Sequence, residues 1–132
     1  MNPVVHFEMP YRDAKRAAKF YERAFGWKTN LLGEEMGHYL LVTTAEKDAR
    51  PDQPRGAIQG GLFPIEPEKP MQYPTFVIEV EDIQAAMNRI SESGGEVAGE
   101  PMTIPKIGKY ISFTDTEGNQ NSILQPVADE KT

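Results

Sequence analysis

Apolar and polar positions alternate from Val4 to Pro10. Val5, Phe7 and Met9 fall on one face and Val4, His6 and Glu8 on the other, the period of a β-strand. Pro10 and Tyr11 mark its end. The period then lengthens: Ala14, Ala17, Ala18, Tyr21, Ala24 and Phe25 recur at helical spacing, with Lys15, Arg16, Lys19, Glu22 and Arg23 on the wet side. Asp13 is placed to cap that helix and Gly26 to stop it. Strands are predicted at 27–32, 38–44 and 57–63, with a turn over Gly33–Gly37 and a polar loop over 45–56 that carries Pro51 and Pro54.

The order then repeats. A strand at 74–80 leads to a helix at 82–93, the pair Gly94-Gly95 and a short strand at 96–99. A loop with Pro101 and Pro105 follows, then strands at 109–115 and 120–127 around the turn Thr116–Asn119. At an offset of 69, Phe7 meets Phe76, Asp13 meets Asp82, Ala17 meets Ala86 and Gly26 meets Gly95. At an offset of 71, Gly37-His-Tyr39 meets Gly108-Lys-Tyr110 and Thr43 meets Thr114. Ordered matches through both halves define a duplicated unit. The reading is an α+β fold of two βαβββ modules, 1–63 and 73–127, joined by a proline-spaced linker at 64–72 and followed by a charged tail at 128–132. Neither module covers its own sheet, so the two are expected to pair as curved mixed sheets around a cavity.

Composition narrows the partners. A formal net charge of −6, with Lys and Arg scattered, repels a phosphate backbone and argues against nucleic acid. The absence of cysteine removes disulfides, thiolate nucleophiles and thiolate metal sites, and fits a reducing, cytoplasmic setting. The first residues, Met-Asn-Pro-Val-Val-His, lack the pattern of a signal peptide, and no apolar run approaches membrane-spanning length.

His6-Phe-Glu-Met-Pro, the helix from Asp13 through Ala17-Ala18-Lys-Phe-Tyr21 to Phe25-Gly26-Trp27, the start Val80-Glu-Asp-Ile-Gln-Ala-Ala86, and Phe113-Thr-Asp-Thr-Glu-Gly-Asn119 together resemble the vicinal-oxygen-chelate superfamily. This is the glyoxalase/bleomycin-resistance/dioxygenase group. The last segment is similar to the family's Asp-Pro-x-Gly-Asn turn with Thr116 in place of proline. The resemblance implies paired modules, often in a homodimer, with a small-molecule site in each U-shaped sheet. It places metal ligands on the first and last strands of each module. His6 stands at the first such position and Thr75 at its repeat partner. The last-strand positions fall at Gly60 or Gln59 and at Ser122. Imidazole beside threonine, serine and glycine is not a hard-cation donor set, so the usual metal site is expected to be absent and no cofactor is predicted.

His6 and Glu8 are the candidate acid–base or substrate-contact residues, about 6–7 Å apart along one strand face. Thr75, Glu79, Gln59 and Ser122 are candidate substrate contacts. His38 reads as a surface residue at a strand start, and Tyr39 and Tyr110 as a repeated core pair. Gly60-Gly61 permits a close approach to the backbone but makes no phosphate loop. The functional expectation is a glyoxalase-like enzyme, lyase-like in chemistry, working on a small polar or carbonyl-containing metabolite without the usual metal. The alternative is a metal-free binding or sequestering protein of the bleomycin-resistance type.

Overall fold

A computed structural model of the protein describes residues 1–45, 58–69 and 72–128. Most of the predicted loop at 45–56, the first residue of the predicted strand at 57–63, part of the linker and the end of the tail lie outside the described residues. Internal contacts separate two compact units: His6–Pro74, and Met1–Val5 together with the chain from Thr75 onward.

The first unit contains β1 (Val4–Tyr11, which starts in the other unit's N-terminal segment), α1 (Ala14–Phe25), β2 (Lys28–Leu31), β3 (Leu40–Thr43) and β4 (Gln59–Pro64). β1 lies parallel to β4, with His6 opposite Gln59 and Glu8 opposite Gly61. β3 runs antiparallel to β4, and β2 antiparallel to β3. β1 thus runs through Tyr11, a residue further than Pro10 suggested.

Asp13 caps α1 by accepting the Arg16 N–H at 3.0 Å, and Gly26 ends it in the left-handed conformation at φ 73°. The face of α1 bearing Ala17, Ala18 and Tyr21 packs with Phe7, Met9, Tyr11 and Trp27 over Leu40, Val42 and Leu62. The Tyr21 and Trp27 rings stack at 4.7 Å. Burying a side chain such as Leu40 contributes about 1.5–3 kcal/mol. Phe25 departs from the expected stripe. It is 64 % exposed at the last turn of the helix, its ring tilted against Tyr21 and Trp27 and edge-on to Phe20.

The second unit contains β5 (Thr75–Glu79), α2 (Ile83–Glu92), β6 (Glu96–Val97), β7 (Met102–Ile104), β8 (Gly108–Thr114) and β9 (Gln120–Pro126). β5 is parallel to β9, β8 is antiparallel to β9, and β6 and β7 both pair along β8. The duplication is visible in the caps. Asp82 accepts the Ala85 N–H at 3.0 Å, and its backbone angles of −135° and 108° reproduce the −139° and 107° of Asp13. Val80, Ile83, Ala86, Ile111 and Ile123 form the core beneath α2. The Asp115–Asn119 turn is closed by the Asp115 carboxylate. It accepts the Glu117 and Asn119 N–H groups at 2.8 and 2.9 Å and the Asn119 amide at 3.0 Å.

β7 occupies part of the stretch expected to be loop. Pro101 and Pro105 flank it rather than interrupt it, so the residues between them pair with Gly108–Tyr110. Each unit places one helix on one face of a mixed sheet, which is the α+β arrangement the repeat predicts. Among the described residues no helix is long and apolar enough to cross a membrane.

Candidate functional site

Strand register decides which side chains share a face. In the first unit Phe7, Met9, Leu62, Leu40 and Val42 belong to the helix side. His6 and Glu8, one residue out of phase, therefore point to the face turned away from α1. Tyr39 joins them. The His6 Nε2 atom lies 2.9 Å from the Tyr39 hydroxyl oxygen, and that hydroxyl donates to Glu8 Oε2 at 2.9 Å. The His6 and Tyr39 rings lie near-parallel, 18° apart, with centroids separated by 6.4 Å. The two sequence candidates are thus linked through a phenol that was read as core.

The glycine pair explains how Tyr39 gets there. A Cβ on Gly61 would sit 1.9 Å from the Tyr39 ring, so the bare backbone lets the phenol lie across β4 towards β1. Gly60 serves the opposite face, where a Cβ would meet the Phe7 ring at 2.5 Å. Upstream, Gly37 and His38 are both left-handed, at φ 65° and 54°, and Tyr11 donates its hydroxyl to the His38 carbonyl at 2.7 Å. That turn holds the backbone from which Tyr39 projects. His38 is exposed and precedes β3 rather than starting it.

The second unit treats its matching tyrosine differently. Tyr110 stands two residues before Ser112, which pairs with Ser122, just as Tyr39 stands two before Leu41, which pairs with Gly61. Where the first unit has glycine, the second has serine. Ser122 is only 3 % exposed; it donates to the Tyr110 hydroxyl at 2.7 Å and lies 3.2 Å from the Ser112 hydroxyl. Thr75 and Glu79 are half-buried and share the Ser122 face, because Val77 between them pairs with Ser122. The Glu79 N–H donates to the Pro3 carbonyl at 2.9 Å. In the same unit a cavity of about 500 Å³ opens beside β6 and β8, with Glu96, Ser112, Thr114 and Gln120 in its wall.

Gln59 neighbours His6 in register, but its amide is committed locally. Its oxygen accepts the Thr44 N–H, and its nitrogen donates to the Ala45 carbonyl at 2.9 Å. It clasps the base of the loop that follows β3.

His6 is the titratable group of the site with a clear shift. Burial pushes its pKa below the usual 6.5, and the Glu8 charge pulls partly against that. A half-buried imidazole that stays neutral near neutral pH is suited to accept a proton. The residues at the family's ligand positions do not fit a divalent cation. Gly60, the other last-strand candidate, turns to the helix side with Phe7, so those positions hold the His6 imidazole bonded through Nε2, the Gln59 amide held by backbone, and the Thr75 and Ser122 hydroxyls. Among the described residues no three His, Cys, Asp or Glu side chains cluster to hold an ion.

A family model for the glyoxalase/bleomycin resistance protein/dioxygenase superfamily matches residues 4–123, and the chain belongs to that superfamily. A "Glyoxylase-like domain-containing protein" of Didymella fabae is 32 % identical over an alignment of 119 residues that covers 88 % of each chain. Among solved structures, methylmalonyl-CoA epimerase of Streptomyces coelicolor, in complex with 2-nitronate-propionyl-CoA, superposes with a TM-score of 0.69 at 17 % identity. That match covers 100 % of this chain and 99 % of the other. The Mycobacterium tuberculosis methylmalonyl-CoA epimerase gives a TM-score of 0.67 at 14 % identity over 95 % and 88 % of the chains. Identities this low establish the shared fold and carry no substrate with them.

Proposed function

We propose that the protein is a glyoxalase-like enzyme that moves a proton on a small carbonyl-containing metabolite, with His6 and Glu8 as its acid–base pair and without the superfamily's metal. The observation that carries this reading is the hydrogen-bonded set His6–Tyr39–Glu8 on the face away from α1. A half-buried neutral imidazole takes the proton, and the carboxylate linked to it through Tyr39 is the second group of the pair. The donor set at the ligand positions supports the metal-free part. The structural likeness to epimerases that act on acyl-CoA esters puts such thioesters on the substrate panel beside simple aldehydes and keto acids.

A binding or sequestering role is the second reading, and the second unit favours it. Its candidate contacts are the Thr75 and Ser122 hydroxyls beside the Glu79 carboxylate, and Ser122 bonds to the Tyr110 and Ser112 hydroxyls rather than to a base, which suits holding a ligand rather than transforming it. A homodimer and a cytoplasmic location complete the proposal; the first rests on the family resemblance and the second on the cysteine-free composition.

The test is a panel of carbonyl metabolites and acyl thioesters, scored for thermal stabilisation and for turnover, with chelator-treated wild type and His6→Ala. The enzyme reading expects turnover that survives chelation and falls at least about a hundredfold in His6→Ala, the lower end for a lost general base. Stabilisation by a ligand that returns chemically unchanged would replace it with the binding reading.

A further inference from the structure

We infer that Tyr39 sets the ring state of His6 and conducts a proton between His6 and Glu8, so that the three side chains act as one relay. This rests on the acid–base reading above and names a positioning residue for it. The number of hydrogens available fixes the direction of each bond. A phenol has one, and a carboxylate oxygen can only accept. Since the Tyr39 hydroxyl donates to Glu8 Oε2, the 2.9 Å contact between that hydroxyl and His6 Nε2 must be filled by a hydrogen on the nitrogen. His6 is then the Nε2–H tautomer, and its basic lone pair sits on Nδ1.

The proton balance follows. Nδ1 takes a proton from a carbon beside the substrate carbonyl, and the electron pair of the broken C–H bond stays on the substrate as an enolate. The Nε2 hydrogen passes to the Tyr39 oxygen while the phenol's own hydrogen passes to Glu8. Tyrosine ends as it began, His6 ends neutral with its hydrogen on Nδ1, and Glu8 ends as a carboxylic acid. The reverse sequence returns a proton to the carbon. Half-burial gives the relay its purpose, since a cation left on His6 is disfavoured there and handing a proton onward removes it. The fold allows this reach because β4 carries glycine at 61. In the second unit, Ser122 takes the place of Gly61 and the Tyr110 hydroxyl bonds to it.

The experiment is a long-range 1H–15N spectrum of the His6 ring, recorded on wild type, Tyr39→Phe and Glu8→Ala, and it needs no substrate. Wild type is expected to show one neutral form with its hydrogen on Nε2 and an observable imine proton. Tyr39→Phe should speed exchange of that proton by about tenfold, the order set by one hydrogen bond. Glu8→Ala, which removes the acceptor of the phenol hydrogen, should let the phenol donate to Nε2 and raise the Nδ1–H population several-fold. A wild-type ring protonated on Nδ1, or an Nε2 proton that exchanges no faster in Tyr39→Phe, would overturn the relay. If Tyr39→Phe does not fold, Glu8→Ala decides alone, and an unshifted tautomer there refutes it. Turnover that His6→Ala leaves intact would remove His6 from the mechanism while leaving these spectra untouched.

Discussion

Gly61→Ala is the substitution that most sharply separates this account from a generic packing explanation. The added methyl carbon would lie 1.9 Å from the Tyr39 ring, well inside any tolerable contact, and the atoms it meets are the ring's far end. The phenol can escape by swinging off β4, and doing so breaks its contacts with both His6 and Glu8. One neutral hydrogen bond is worth about 0.5–1.5 kcal/mol and one to a charged group about 1.5–3 kcal/mol, so the expected loss is about 2–4.5 kcal/mol. The assay is urea denaturation in a double-mutant cycle with Tyr39→Ala, alongside the His6 ring spectrum. Once the ring is gone the methyl group has nothing to displace, so Gly61→Ala should cost less than about 0.5 kcal/mol in that background. Gly60→Ala is the internal control. Its methyl meets Phe7 on the helix side, so it should destabilise by about 1–3 kcal/mol through overpacking and leave the His6 spectrum unchanged. Equal costs for Gly61→Ala with and without Tyr39 would refute the reasoning.

The remaining predictions concern pH and helix ends. Because burial lowers the His6 pKa from 6.5, the unfolded chain binds a proton that the folded chain resists. The His6 contribution to stability is therefore intact above about pH 6.5 and declines as the pH falls below it, until the lowered folded-state pKa is reached. Urea midpoints at neutral and mildly acidic pH should show this decline in wild type and a shallower one in His6→Asn. Asp13→Ala and Asp82→Ala should each cost about 1 kcal/mol by removing equivalent caps, and should add when combined, since they serve different helices.

Much of the fold was legible because it is written twice. Asp13 and Asp82 announce two helix starts, and the structure gives them the same capping bond. Period-2 alternation correctly put His6 and Glu8 on one face, since parity needs only the strand and not its neighbours. Reach is a different matter. Nothing in the spacing of Tyr39 says that its ring crosses another strand. The signal available was Gly60-Gly61, two adjacent residues without side chains in a strand, each accommodating an aromatic ring on its own face. The commitment of Gln59 to the Thr44–Ala45 backbone likewise depends on how a distant loop returns. β7 was hidden because proline weakens a strand reading, although at Pro101 and Pro105 it only borders one. Phe25 fits the helical period, but period alone does not say where the underlying sheet ends.

The central claim is that this member of the superfamily moves protons through side chains and not through an ion. Its most direct measurement is deuterium uptake from heavy water into carbonyl metabolites and acyl thioesters beside the carbonyl, catalysed by chelator-treated protein. The account predicts uptake that needs no added metal, is lost in His6→Ala and is strongly reduced in Tyr39→Phe. Uptake that appears only when a divalent cation is restored, or that persists in His6→Ala, would contradict it.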